Sequence, residues 1–135
     1  MRIFLDANLL FSAAKSDGAI RQLLAMLTQR GHALCVDGYV IEEARRNLIA
    51  KSPASVAYLD DLLAKVEWIP IRAPAGGRDT YGLPEMDRPV LAAAITGRCD
   101  ILVTGDRTHF ARLYGKHFEG VEVVSPAMLA LRILV

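Results

Sequence analysis

The chain has 135 residues, with 16 basic and 15 acidic side chains, a formal net charge of +1 and a hydrophobic fraction of 53%. That length suits one domain, and the apolar content supports a packed core and excludes a disordered chain. The charge balance lacks the strongly basic signature of many nucleic-acid binders, while leaving room for a local patch.

In chain order, residues 2–6 read as a short strand, because Ile3, Phe4 and Leu5 form an unbroken apolar run that suits a parallel strand covered on both faces. Residues 19–30 read as a helix, with Ile20, Leu23, Leu24 and Leu27 on one face and Gly31 as its stop. A strand is expected at 33–36, and a helix at 39–51 with Val40, Ile41, Ala44, Leu48 and Ile49 on its apolar side. Ser52 and Pro53 then suit the cap and first position of another helix.

A third strand is expected at 67–71. The one long loop spans 72–83 and holds Pro74, Gly76, Gly77 and Gly82. An alanine-rich helix at 86–97, a strand at 101–104, a short helix at 108–114, a strand at 121–124 and a helix at 126–133 complete the pattern. Strands alternate with helices throughout, which predicts an α/β chain: a three-layer α/β/α sandwich around a parallel sheet of about five strands, in a single domain over 1–135.

Cys35 and Cys99 form no CxxC pair and no zinc-spaced cluster, so they read as small buried hydrophobes in a reducing compartment. Asp6 interrupts the N-terminal apolar run too early for a secretory segment, and no stretch is long enough to cross a bilayer. A cytoplasmic protein with no membrane association is the expectation.

Sites in open α/β sheets lie beyond the carboxyl ends of the strands. Asp6 ends the first strand there, with Asn8 just after it, and Asp106 follows the fourth in Leu102-Val103-Thr104-Gly105-Asp106. Asp87, at the start of the alanine-rich helix, and Glu42 and Glu43, early in the helix after the second strand, supply more acid. Two carboxylates about 4 Å apart repel by roughly 4 kcal/mol at an effective dielectric of about 20, so a converging set shares a proton or binds a cation. Oxygen ligands without His or Cys favour Mg²⁺ or Mn²⁺. Such an ion activates water and offsets charge on a phosphodiester, which makes a phosphate ester the natural substrate.

FLDANLLFSAA at 4–14, EEARRNL at 42–48 and MDRPVLAAAI…CDILVTGDRTHF at 86–110 resemble the PIN-domain family, which includes the VapC-type toxins of toxin–antitoxin pairs. The tail GVEVVSPAMLALRI resembles the family's last strand and helix. The DAN and TGD elements are weak alone; their order and spacing make the resemblance specific. It implies a parallel-sheet sandwich and an endoribonuclease that cuts single-stranded RNA with a metal-activated water, leaving a 5′-phosphate. The four family acids fall on Asp6, Glu43, Asp87 and Asp106, as metal ligands and catalytic residues, with Asn8 and Thr104 in support. Helical periodicity does not separate Glu42 from Glu43, and motif alignment alone selects Glu43.

Arg107, beside Asp106, is the best candidate among the arginines for holding the RNA backbone, and Tyr81 is a candidate for stacking on a base. Asp106 and Asp87 also suit helix caps. His109 suits a packing or phosphate contact. A toxin role implies an antitoxin and a homodimer as partners. A second reading is a non-catalytic PIN-like module that binds RNA or protein without cutting. An aspartyl-phosphate enzyme is disfavoured by Asn8 where a second aspartate is needed and by the missing downstream lysine motif.

Overall fold

In a computed structural model, residues 1–70 and 88–134 are described. The predicted loop at 72–83, with Tyr81, and the start of the predicted alanine-rich helix, with Asp87, lie outside them. The elements are β1 (Arg2–Leu5), α1 (Ala7–Lys15), α2 (Ala19–Gln29), β2 (Ala33–Asp37), α3 (Gly38–Lys51), α4 (Val56–Leu63), β3 (Glu67–Ile69), α5 (Arg88–Thr96), β4 (Ile101–Val103), α6 (Arg107–Phe110), β5 (His117–Phe118), β6 (Val121–Val124) and α7 (Pro126–Leu134).

The sheet order is β3-β2-β1-β4-β6-β5. Five strands are parallel, and β5 pairs antiparallel with β6 as an added edge. The α/β sandwich expected from the alternating pattern is therefore present, with one more strand than the sequence advertised. Ile3, Phe4 and Leu5 are each fully buried although they point to alternate faces, and Leu102 and Val103 repeat this on β4. Both faces of the central sheet are therefore covered, as a parallel sheet requires. Helices α1, α2, α3 and α4 pack on one another, and α5 packs on β4.

Of three local predictions, the stop at Gly31 holds, while the cap at Ser52 and the bounds of the short helix after β4 are corrected. Gly31 ends α2 with φ near +83°, a left-handed conformation that glycine adopts without strain. Pro53–Ser55 forms a 3₁₀ turn before α4, and Ser52 bonds its hydroxyl to that of Ser55 at 2.8 Å rather than capping a backbone amide. The short helix after β4 begins one residue early and ends at Phe110, continuing as a 3₁₀ turn over Ala111–Leu113.

Two elements escape the sequence reading. Helix α1 starts immediately after β1, capped by Asp6, and buries Ala7, Leu9, Leu10, Ala13 and Ala14. Strand β5 has only two residues, joined to β6 through Glu119 and Gly120, both at positive φ. Two such residues make the tight turn whose twist matches a hairpin.

At the amino edge of the sheet, Arg2 donates to the Gly97 carbonyl at 2.9 Å and pairs with Glu67 at 2.5 Å. Cys35 and Cys99 are buried and free, as expected of small apolar side chains. Asp100 also lies at this edge, where it accepts the Arg2 amide at 2.8 Å. No helix among the described residues is long and apolar enough to cross a membrane.

Candidate active site

The chain runs outward from β1 through β2 to β3, then returns to the other side of β1 as β4. The seam between β1 and β4 is the point at which strand order reverses, where open α/β sheets leave a crevice at their carboxyl ends. Asp6 leaves β1 there, and Thr104, Gly105 and Asp106 leave β4 beside it. The seam is fastened by backbone and side chains together. The Asp6 amide donates to the Val103 carbonyl at 3.1 Å. Thr104, fully buried, donates its hydroxyl to Asp6 Oδ2 at 2.7 Å and accepts from the Asp106 amide at 3.1 Å. Asn8 donates to Asp6 Oδ2 and to Thr104 Oγ1, each at 3.3 Å, and accepts from the Gly105 amide at 2.9 Å.

Asp6 is 5% exposed. Its Oδ1 accepts the Ala7 amide at 2.7 Å, so it caps α1 while its other oxygen takes Thr104 and Asn8. A buried carboxylate is costly unless it is well bonded, and these donors fix its orientation. Asp106 caps α6, accepting from the His109 amide at 3.3 Å, and meets His109 Nδ1 at 3.0 Å. The i,i+3 spacing of aspartate and histidine is the sequence signal for that contact.

Glu43 comes from α3. Asp37 caps that helix, accepting the Val40 amide at 3.1 Å. Val40, Ile41, Ala44 and Leu48 are buried, which turns the neighbouring row Glu43, Asn47 and Lys51 toward the crevice. Asp6, Asn8, Glu43 and Asp106 line one open cavity of about 370 Å³. Glu42 is exposed and does not line it, so the geometry separates the two glutamates that helical periodicity left equivalent. Arg107 is exposed at the first position of α6 and is not part of the cavity wall. Asp87 lies outside the described residues.

The far end of the same cavity is formed by Phe11, Asn47 and Lys51, none of which the sequence reading singled out. Behind the seam, the Tyr114 hydroxyl donates to the Thr104 carbonyl at 2.8 Å. Burial pushes its pKa up; the Arg107 charge opposes this, and the Asp106 and Asp6 charges add to it. The phenol therefore stays a donor at neutral pH. Burial also raises the Asp37 carboxyl, against the bonds it accepts from backbone amides, the Val40 amide first.

The cavity offers carboxylate and amide oxygens and neither His nor Cys, which is the donor set of a hard divalent cation. Among the described residues, no three His, Cys, Asp or Glu side chains stand close enough to hold an ion by themselves. Asp6, Glu43 and Asp106 thus share a cavity without forming a closed cage among the described residues.

The sequence matches the PIN domain family over residues 2–108, and the chain belongs to that family. No curated protein sequence matches it. The fold is similar to three solved structures. One, VapBC2 from Rickettsia felis bound to a DNA fragment from their promoter, is 18% identical, covering 93% of this chain and 98% of that one with a TM-score of 0.67. VapBC-1 from nontypeable Haemophilus influenzae is 12% identical, covering 94% and 99%, with a TM-score of 0.61. Mycobacterium tuberculosis VapC20, a Sarcin-Ricin loop cleaving toxin, is 14% identical, covering 87% and 97%, with a TM-score of 0.58. At these identities the likeness speaks for the fold.

Proposed function

We propose that this chain is a metal-dependent endoribonuclease of the VapC type, hydrolysing phosphodiester bonds of single-stranded RNA with Mg²⁺ or Mn²⁺. The observation that carries the proposal is the meeting of Asp6, Glu43 and Asp106 around one cavity at the strand-order reversal of a PIN-domain chain. Asp87, from the adjoining sequence motif, is the fourth ligand of the proposed set. Similarity to solved VapC and VapBC structures, one of them a cleaving toxin, supports nuclease action and an antitoxin partner.

In this reading Asp6 is the anchoring ligand, because its oxygens are already aimed by Ala7, Asn8 and Thr104. Glu43 and Asp106 are the opposing ligands, the latter steadied by His109. When bound, the divalent ion makes a water more acidic and offsets charge growing at phosphorus. Asn8 and Thr104 hold Asp6 in place, and Arg107 at the rim contacts a neighbouring phosphate. The toxin role carries with it an antitoxin and a homodimer.

Mn²⁺ at about 100 times its dissociation constant stabilises the folded chain by about 2.7 kcal/mol. With an unfolding entropy of roughly 0.28 kcal/mol/K for this length, that is a rise in Tm of about 10 °C. Asp6→Asn is expected to abolish both the Mn²⁺-dependent shift and the cleavage of a short single-stranded RNA, while its circular dichroism stays that of the parent. Full cleavage by Asp6→Asn in metal-cleaned buffer, or by the parent in EDTA, overturns the proposal. A binding module without catalysis would show neither the acid-dependent shift nor the cleavage.

A further inference from the structure

The end of the cavity away from the carboxylates has its own chemistry. Helix α3 presents Glu43, Asn47 and Lys51 at successive four-residue steps, which puts them on one side of the helix. From Glu43 to Lys51 the row covers about 12 Å, running from the acidic end of the cavity to its basic end. Helix α1, packed on α3, contributes Phe11 to the same lining. Two ammonium groups gather at that ring: Lys15 Nζ lies 5.5 Å and Lys51 Nζ 5.7 Å from its centroid.

Both lysines are exposed, and neither forms a salt bridge with a carboxylate among the described residues. Both lie in the last turn of their helices, where a positive charge is favoured. Phe11 itself is only partly buried, although it packs on the core. An aromatic ring, a cation and an amide side chain line the cavity, and a second cation, Lys15, stands at the same ring outside that lining; a ring for a base and charges for the backbone are the combination that holds single-stranded nucleic acid.

We infer that Phe11, Lys15, Asn47 and Lys51 form a nucleotide subsite next to the carboxylates, in which a base of single-stranded RNA stacks on Phe11 and Lys15 and Lys51 hold an adjoining phosphate. Asn47 lies between the two ends and bonds the intervening sugar or phosphate. The subsite rests on the nuclease reading for the identity of the polymer. It adds direction: the strand lies along α3, from the carboxylates toward its C-terminal end, so the unpaired nucleotide read by Phe11 sits to one defined side of the bond cut.

The test is an anisotropy titration of a fluorescent single-stranded RNA oligonucleotide onto full-length Asp6→Asn protein, repeated across salt concentrations. Each phosphate contact contributes a slope of about −0.7 to log K against log [salt] for a single strand. Lys51→Gln and Lys15→Gln are each expected to flatten the slope by up to that amount while leaving Tm unchanged. Phe11→Leu, which keeps apolar packing, is expected to weaken binding roughly fivefold or more. A series of oligonucleotides with one abasic nucleotide at successive positions locates the stacked base. One position should weaken the parent and leave the Phe11→Leu protein indifferent.

An unchanged salt slope in both lysine variants overturns the subsite, as does an equal loss on Phe11→Leu at every abasic position. Cleavage by the parent with Mn²⁺ alongside such a result leaves the nuclease reading intact. Conversely, the expected slopes and abasic position, together with a parent that cuts no RNA with Mn²⁺, uphold the subsite and overturn the nuclease reading.

Discussion

Replacing Thr104 by valine tests the seam between β1 and β4 most directly. Valine keeps the shape of the side chain and removes its hydroxyl from a fully buried position. The hydroxyl donates to an aspartate carboxylate at 2.7 Å and accepts from the Asp106 amide at 3.1 Å and from Asn8 at 3.3 Å. A hydrogen bond to a charged group contributes about 1.5–3 kcal/mol, and a neutral one about 0.5–1.5. Asn8 and Asp106 are partly exposed, so water recovers some of the loss on their side. The net cost is therefore about 2–4 kcal/mol, or a fall in Tm of about 7–14 °C for a chain of this length. Cleavage should fall about 10- to 100-fold, the usual loss when the partner that orients a metal-binding carboxylate is removed. Calorimetry and initial rates on a short RNA with Mn²⁺ measure the two effects, and Thr104→Ser should restore both. A Thr104→Val protein that melts and cuts like the parent refutes the idea that this hydroxyl holds Asp6 in place.

Three further outcomes are expected. Glu43→Gln should lose the Mn²⁺-dependent rise in Tm, whereas Glu42→Gln, on the exposed side of α3, should keep it; the reverse pattern in a thermal-shift titration would shift the ligand to Glu42. Asp37→Ala should cost about 1 kcal/mol through the lost cap of α3. Because burial raises the folded-state carboxyl, the folded chain binds a proton more readily than the unfolded one, and this contribution to stability is present at acid pH and lost as pH rises through the folded value. Asp37→Asn keeps a capping oxygen, so its stability relative to the parent should improve from about pH 3 to pH 7; a difference that is flat across that range in urea melts would contradict it. Gly97→Ala should cost about 1–3 kcal/mol by overpacking, because a Cβ there would lie 2.2 Å from Ile69 Cδ1; Ile69→Val, which removes that atom, should recover part of the loss in the double variant.

The central strands were legible because an uninterrupted apolar run has few other homes than a strand covered on both faces. Asp6 and Asp106 followed from the same logic, as charged residues at the carboxyl ends of such runs. Helix α1 was not legible: Asp6 is at once the strand's last polar residue and the helix's cap, leaving no loop between the elements to mark the change of period. Strand β5 is two residues long and carries no pattern. Glu43 could be separated from Glu42 only by tertiary packing, since the choice depends on which side of α3 meets α1. Phe11 and Lys51 were hidden for a related reason. They are 40 residues apart and read as ordinary apolar and charged positions, each on its own helix, until the packing of α1 on α3 brings them to one ring.

The two described margins of the sheet have a consequence for assembly. One ends in His117–Phe118 and the other in Glu67–Ile69. Strips this brief expose few unmet amides and carbonyls, and so give a foreign strand little to zip onto. Growth by adding strands, the route by which open sheets polymerise, is thereby discouraged along both described edge strands.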